Sequence, residues 1–235
     1  MYRKQLLALA GVAGVGGLVL SASASDAATV VNFGWANGGT VTAAGTANQS
    51  PTLAATGPIT AGTWNFSSSG AASVGDQNSA SLNVSSTTGG TLDVFVTFSG
   101  ITAPLGSALG FLSTFTLNSV SGGASVTEST YLDSGNSSLP SSAASVPGVL
   151  LDSATLSTLT TDSLSATGNT GIGPYSITEE YAITAAGAST TNATIDVTAT
   201  PLPGALSLFG GGLGVLGLLA RRKKRKGVTA VSAIA

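Results

Sequence analysis

Apolar and polar residues alternate with a period of two through Thr91-Leu92-Asp93-Val94-Phe95-Val96-Thr97-Phe98. Successive side chains of a strand point to opposite faces, so this spacing predicts a half-buried strand with Leu92, Val94, Val96 and Phe98 on one face and Asp93 on the other. Ser81 to Ser85 and Ile195 to Thr198 repeat the pattern. Phe111 to Val120 reads as a strand through Phe115 and Leu117, and Ile177 to Thr184 as another through Ile177, Tyr181 and Ile183, although Glu179 falls in phase with those apolar residues. Between the runs stand Asn37-Gly38-Gly39, Thr88-Gly89-Gly90, Ser121-Gly122-Gly123, the stretch 168–174 and Gly187. Glycine supplies the positive backbone angles of tight turns, which makes Thr88-Gly89-Gly90 a candidate hairpin turn between 81–87 and 91–98. The Ser/Thr/Ala-rich stretch 134–145, with Pro140, reads as a long surface loop.

No helix of ordinary length declares itself between the two ends of the chain, and no repeat holds a fixed period. The expected body is therefore all-β, an antiparallel β-sandwich or jelly-roll-like fold covering residues 25–200. At 235 residues, with 6% aromatic and 8% charged residues, the chain suits one domain whose core is built from scattered Val, Leu, Ile, Phe and Tyr.

Charge separates the body from the ends. From Ala27 to Thr200 the acidic residues are Asp76, Asp93, Glu128, Asp133, Asp152, Asp162, Glu179, Glu180 and Asp196, and there is no Lys or Arg. Histidine and cysteine are absent from the whole chain. Such a body is unsuited to nucleic acid, whose phosphates need cations to neutralise them. The missing His and Cys remove imidazole catalysis, thiolate nucleophiles, disulfides and Cys- or His-based zinc sites. Paired carboxylates can still hydrolyse glycosides, but Glu179 and Glu180 are strand neighbours that point apart, and no enzyme is expected. No cofactor is expected either. Calcium is the ion that an all-oxygen, all-acidic body would admit, yet the acids are scattered and the turn-like cluster Asp76-Gln77-Asn78 is isolated, which favours a solvated acidic surface. Trp35, Trp64, Tyr131, Tyr175 and Tyr181 could form a carbohydrate-stacking face, against an ordinary reading as core and edge residues.

All eight positive residues lie at the ends. Residues 1–24 read as a secretory signal: Arg3 and Lys4, an apolar run from Leu6 to Leu20, then Ala22 and Ala24 as the small residues a signal peptidase reads, with cleavage expected after Ala24 and with Ala27 or Ala28 as near alternatives. At the other end, Leu202 to Ala220 are nineteen uncharged residues. As a helix they would measure about 28 Å, close to a hydrocarbon core of about 30 Å, which predicts a single C-terminal transmembrane helix. Arg221, Arg222, Lys223, Lys224, Arg225 and Lys226 follow directly and act as a stop-transfer block on the cytoplasmic side. Both ends place the body outside the inner membrane.

The order in PLPGALSLFGGGLGVLGLLARRKKRK, a Pro-bounded entry, a Gly-rich span and a basic block, resembles the PEP-CTERM sorting signal of Gram-negative bacteria. The resemblance covers residues 201–226 and leaves a short tail at 227–235. It implies that an exosortase, a transpeptidase-like membrane enzyme, recognises the segment, with Pro201, Leu202 and Pro203 in the place of the namesake motif and Leu202 where that motif has Glu. Gram-positive sortase signals share the layout but need Leu-Pro-x-Thr-Gly, and here Ala205 and Leu206 stand where Thr and Gly are required. A plain uncleaved type I anchor is the other alternative. The resemblance implies a protein sorted to the cell surface or an extracellular, exopolysaccharide-associated matrix. The body is then expected to be structural, with a secreted glycan-binding module as the alternative. Mass spectrometry of the mature protein is expected to find a C-terminus near Pro203; an intact Arg221–Lys226 block in the inner membrane would instead mark a simple anchor.

Overall fold

The computed structural model describes residues 29–49, 54–73 and 76–200. The signal segment with Ala22 and Ala24, the motif Pro201, Leu202 and Pro203, the apolar run and the block Arg221–Lys226 lie outside the described residues. Among the described residues every element is a strand: β1 (Thr29–Ala36), β2 (Thr42–Gln49), β3 (Ala54–Ala55), β4 (Ile59–Ala61), β5 (Trp64–Ser73), β6 (Asp76–Ser86), β7 (Gly90–Ile101), β8 (Leu109–Val120), β9 (Ser125–Asp133), β10 (Val149–Leu156), β11 (Thr161–Gly168), β12 (Tyr175–Ala185) and β13 (Ser189–Thr200).

The strands form two sheets with antiparallel pairing throughout. One sheet, here the strap sheet, has the order β10-β9-β12-β7-β1-β2, and the other, the groove sheet, has β11-β8-β13-β6-β5-β3 with β4 beside β5. From β6 onward the chain crosses repeatedly from sheet to sheet, and only β9 to β10 stays within one. The eight strands β6 to β13 wind as a jelly roll, β10-β9-β12-β7 facing β11-β8-β13-β6. The strands before β6 extend each sheet at the β7 and β6 edges.

The core lies between the sheets. Leu92, Val94, Val96 and Phe98 of β7 line its inner face as the alternation predicts, joined by Val31 and Phe33 of β1. Trp64 and Phe66 of β5, Leu82 and Val84 of β6, and Ile195 and Val197 of β13 face them from the groove sheet. Each such apolar side chain stabilises the fold by about 1.5–3 kcal/mol when fully buried. Trp35 meets Phe66 edge-on across the layers, with ring centroids 6.4 Å apart.

Thr88-Gly89-Gly90 is a turn, with Gly89 at φ 85° and Gly90 at φ 121°, but it is not a hairpin. β6 pairs with β5 and β13, whereas β7 pairs with β1 and β12, so the turn carries the chain from one sheet to the other. Three such arches meet at one end of the sandwich. A Cβ at Gly89 would lie 2.6 Å from the Ala185 carbonyl oxygen, and one at Gly122 would run into the Ala188 carbonyl.

The stretch 134–148 is indeed free of strands, but it packs as a strap across the outer face of its sheet and is more than a surface loop. Asp133 accepts hydrogen bonds from Gly135 N (2.8 Å) and Ser137 N (2.9 Å). Asn136 Oδ1 accepts one from Gly100 N at 2.7 Å. Val41 N donates to Ser141 O, and Ala143 N to Gly39 O. Leu139 fills the space over Gly34 on β1, and Pro140 is buried. Burial alone would raise the Asp133 carboxyl, but the hydrogen bonds from Ser137 and Gly135 hold it below its ordinary range.

Gly38 also has positive φ (74°), in open space. Gly38→Ala is expected to cost about 1 kcal/mol for left-handed backbone alone, whereas Gly122→Ala, which also forces the arch apart, should cost roughly twice that or more. Thermal melts of the two variants compare them, and equal losses would count against close packing of the arches.

Candidate functional site

The alternation that builds β5, β6 and β13 also decides what the groove sheet shows to solvent. With Phe66, Leu82, Val84 and Ala193 turned inward, the residues between them turn out, and they are amides and hydroxyls. Register aligns them in two rows. Ser67, Asn83, Asn192 and Ser119 run across β5, β6, β13 and β8, and Asn65, Ser85 and Thr190 run beside them. They line a groove of about 350 Å³, with Pro58 on its rim and Phe66 and Val84 in its floor. Asn192 Nδ2 donates to Asn83 Oδ1 at 2.6 Å and to Leu82 O at 3.3 Å, which orients both amides along the groove. Asn65 Oδ1 accepts from Thr60 Oγ1 at 2.8 Å. Among the described residues, no charged side chain lines this groove.

A second polar region lies in the interior. Across the inner face of the strap sheet, Asp152 of β10, Thr130 of β9 and Glu179 of β12 share one row, and Glu128 and Tyr181 share the next. Glu128 and Glu179 are fully buried and Asp152 nearly so. Thr130 Oγ1 donates to Glu128 Oε1 at 2.6 Å. Ser113 Oγ reaches over from β8 in the facing sheet, 3.2 Å from both Glu128 Oε1 and Thr130 Oγ1. Burial pushes the Glu128 carboxyl up to about 7, against the Thr130 hydrogen bond and with the help of the neighbouring Asp152 charge. Asp152 is raised as well, by burial first. Tyr181, by contrast, spans the layers, its hydroxyl oxygen accepting a hydrogen bond from Ile195 N at 3.0 Å.

The outer face of the strap sheet holds a third. Glu180, also buried, accepts a hydrogen bond from the Tyr131 hydroxyl at 3.1 Å. Burial lifts Glu180 to about 7, opposed by that hydrogen bond and helped by Asp93. Thr97 and Thr178 share a 3.0 Å hydrogen bond beside it, and Asn32 Nδ2 donates to Ser99 Oγ at 3.1 Å.

One expectation is corrected here. The acidic residues are not simply a solvated surface: Glu128, Asp152, Glu179 and Glu180 are buried, because they occupy strand positions whose faces the partner sheet or the strap covers. The five aromatics take the core-and-edge reading and form no stacking face. Trp64, Tyr175 and Tyr181 belong to the core, Trp35 is half-buried against it, and Tyr131 is half-buried beside Glu180. The side chains of Asp76, Gln77 and Asn78 lie outside the described residues. Glu179 and Glu180 do point to opposite faces, and among the described residues no three carboxylates are grouped closely enough to cage a metal ion by themselves. The groove amides and the Glu128–Asp152 pair were not singled out as sites from the sequence. Asn83 and Asn192 are 109 positions apart, and only strand pairing brings them together.

No family model and no curated protein matches the chain. Among solved structures it is similar to the C-terminal CBM6 of LamC, a marine laminarinase from Zobellia galactanivorans, at 19% identity over 50% of this chain and 79% of that one, with a TM-score of 0.28. It is similar too to TmCBM61, solved with β-1,4-galactotriose, at 10% identity over 59% and 90%, with a TM-score of 0.32. The enzymatically active domain of tailspike protein 4 from bacteriophage CBA120 gives 14% identity and a TM-score of 0.32, and the chain spans a fifth of that structure. Likeness at this level bears on neither ligand nor activity.

The buried acids set a pH dependence. Glu128 and Glu180 have ordinary values of 4.5 and folded values of about 7, so the folded chain holds protons that the unfolded chain releases. Their contribution to stability is fully present below about pH 4.5 and is lost as pH rises through 7. The melting temperature is expected to be higher at pH 5 than at pH 8 by at least a few degrees. Glu128→Gln and Glu180→Gln should each raise it at pH 8 and flatten the profile. A protein more stable at pH 8 than at pH 5 would refute this assignment.

Proposed function

We propose that this chain is an exported, cell-surface or matrix-associated protein whose β-sandwich binds a neutral glycan along the groove sheet. The observation that carries the reading is the groove itself. Two rows of amide and hydroxyl groups cross four strands without a charge among them. Strands lie about 4.8 Å apart, so the longer row spans about 14 Å, the length of a short run of sugar rings. Neutral sugars offer hydroxyls that both donate and accept, which is what Asn and Ser can match. A polyanionic glycan would be repelled by a body that carries nine carboxylates and no cation from Ala27 to Thr200.

Export rests on the signal-like residues 1–24 and sorting on the PEP-CTERM-like residues 201–226, with signal peptidase and an exosortase as the processing partners and exopolysaccharide as the class of ligand. The chain would be held transiently in the inner membrane before release to the surface. Binding here depends on hydrogen bonds rather than on aromatic stacking, since among the described residues no Trp or Tyr lines the groove.

Retention on immobilised neutral polysaccharides, measured by affinity electrophoresis, tests the proposal. The double variant Asn83→Ala/Asn192→Ala is expected to weaken retention about tenfold or more, as two lost hydrogen bonds would, with little change in melting temperature. Trp64→Ala should act only through folding. A wild-type protein that reaches the cell surface but is retained by no neutral polysaccharide would leave the purely structural role standing in place of glycan binding.

A further inference from the structure

We infer that the sandwich interior binds one calcium ion between Glu128 and Asp152, with the hydroxyls of Ser113 and Thr130 as additional oxygen ligands. The site is separate from the groove and independent of the glycan reading.

Four observations converge on it. Glu128 is fully buried and Asp152 is 3% exposed, and the second oxygen of each, Glu128 Oε2 and Asp152 Oδ2, has no hydrogen-bond partner. Leaving a carboxylate oxygen buried and unmatched is costly, and such groups in folded proteins are normally paired or bound to metal. Secondly, the chain has nothing of its own to pair them with. The groups around Glu128 are Asp152 on β10, Asp162 on β11 and Glu179 on β12, all acidic, with Ser113 and no charge on β8, and no Lys, Arg or His occurs anywhere in 29–200. Neutralisation therefore requires an imported cation or a proton.

Thirdly, the donor set is entirely oxygen and comes from both layers: Glu128 and Thr130 from β9, Asp152 from β10, and Ser113 from β8 opposite. Hard oxygen donors without nitrogen or sulfur suit calcium, which accepts irregular geometry and completes its shell with water. Magnesium demands a tighter octahedron. Fourthly, the cluster is near an edge of the sandwich. β10 and β11 are the terminal strands of their sheets and are not paired with each other. Asp162, exposed on the inward-facing side of β11, stands where an entering cation would first be attracted. Two carboxylates with two neutral hydroxyls make a weak site, in the range of about 0.1–1 mM typical of extracellular calcium modules.

The test uses the full chain in detergent, treated with chelator and held at pH 7.5 in 0.15 M KCl. Isothermal titration with calcium chloride is expected to give one ion per chain. The melting temperature should rise by several degrees, half-maximally at about 0.1–1 mM calcium, and magnesium chloride should do less. Glu128→Gln and Asp152→Asn should each abolish heat and shift alike, while Ser113→Ala, which keeps both carboxylates, should weaken binding a few-fold. Each acid variant removes a buried charge and should remain folded without calcium, which circular dichroism checks. Absence of binding heat, with stability responding to pH alone, would overturn the proposal in favour of protons as the only neutralising species. A calcium effect that survives both acid variants would overturn it in favour of a site elsewhere.

Discussion

A β-sandwich without Lys, Arg or His must bury its carboxylates with no partner of opposite charge. Of the eight acids whose side chains are described between Ala27 and Thr200, four are buried, two of them with no exposure at all. An ionised carboxylate in a core costs several kcal/mol unless something compensates it, and the usual compensation, a guanidinium or ammonium, is missing. What remains are hydroxyls, protons and ions from outside. Thr130 and Ser113 on Glu128, and Tyr131 on Glu180, are the hydroxyl part of that answer. They lower the cost without cancelling the charge, which is why burial still wins and both carboxyls end up near 7.

The same constraint sorts the two sheets by role. The strap sheet carries the buried acids on both faces, Glu128, Asp152 and Glu179 inward and Glu180 outward, and the strap covers its outer face at Gly34 on β1. Among the described residues, the groove sheet keeps its acids off the groove and shows solvent a neutral polar floor. The neutral groove and the buried acids thus lie on different layers. A change in protonation inside the strap sheet need not alter the chemistry of the groove.

How much of this could be read from residues alone follows from what each signal reports. Alternation in Thr91–Phe98 reports which faces differ, and β7 obeys it; alternation cannot report that the second face is also covered, and Phe95 and Thr97 are as buried as Val94 and Val96. The Gly-Gly pairs report backbone angle, so the turns are where they were expected, but angle carries no information about which sheet receives the next strand. That is how Thr88-Gly89-Gly90 came to read as a hairpin. β1, β9 and β10 give weak patterns because Asn32, Glu128 and Asp152 sit at buried positions, and a polar residue in a core position is what the period-two test counts as a mismatch.

Glu179 was the exception that carried information. Its place in phase with Ile177, Tyr181 and Ile183 put a carboxylate on an apolar face, and the structure keeps it there, fully buried in the row of Asp152 and Thr130. A core designed only for stability would place Leu or Val there, since burying a charged group gains less than packing an apolar group of similar size. Retaining three acids in two adjacent rows of the inner face is therefore a cost that packing does not explain. It becomes intelligible if the interior is meant to hold something positive that the body of the chain does not encode.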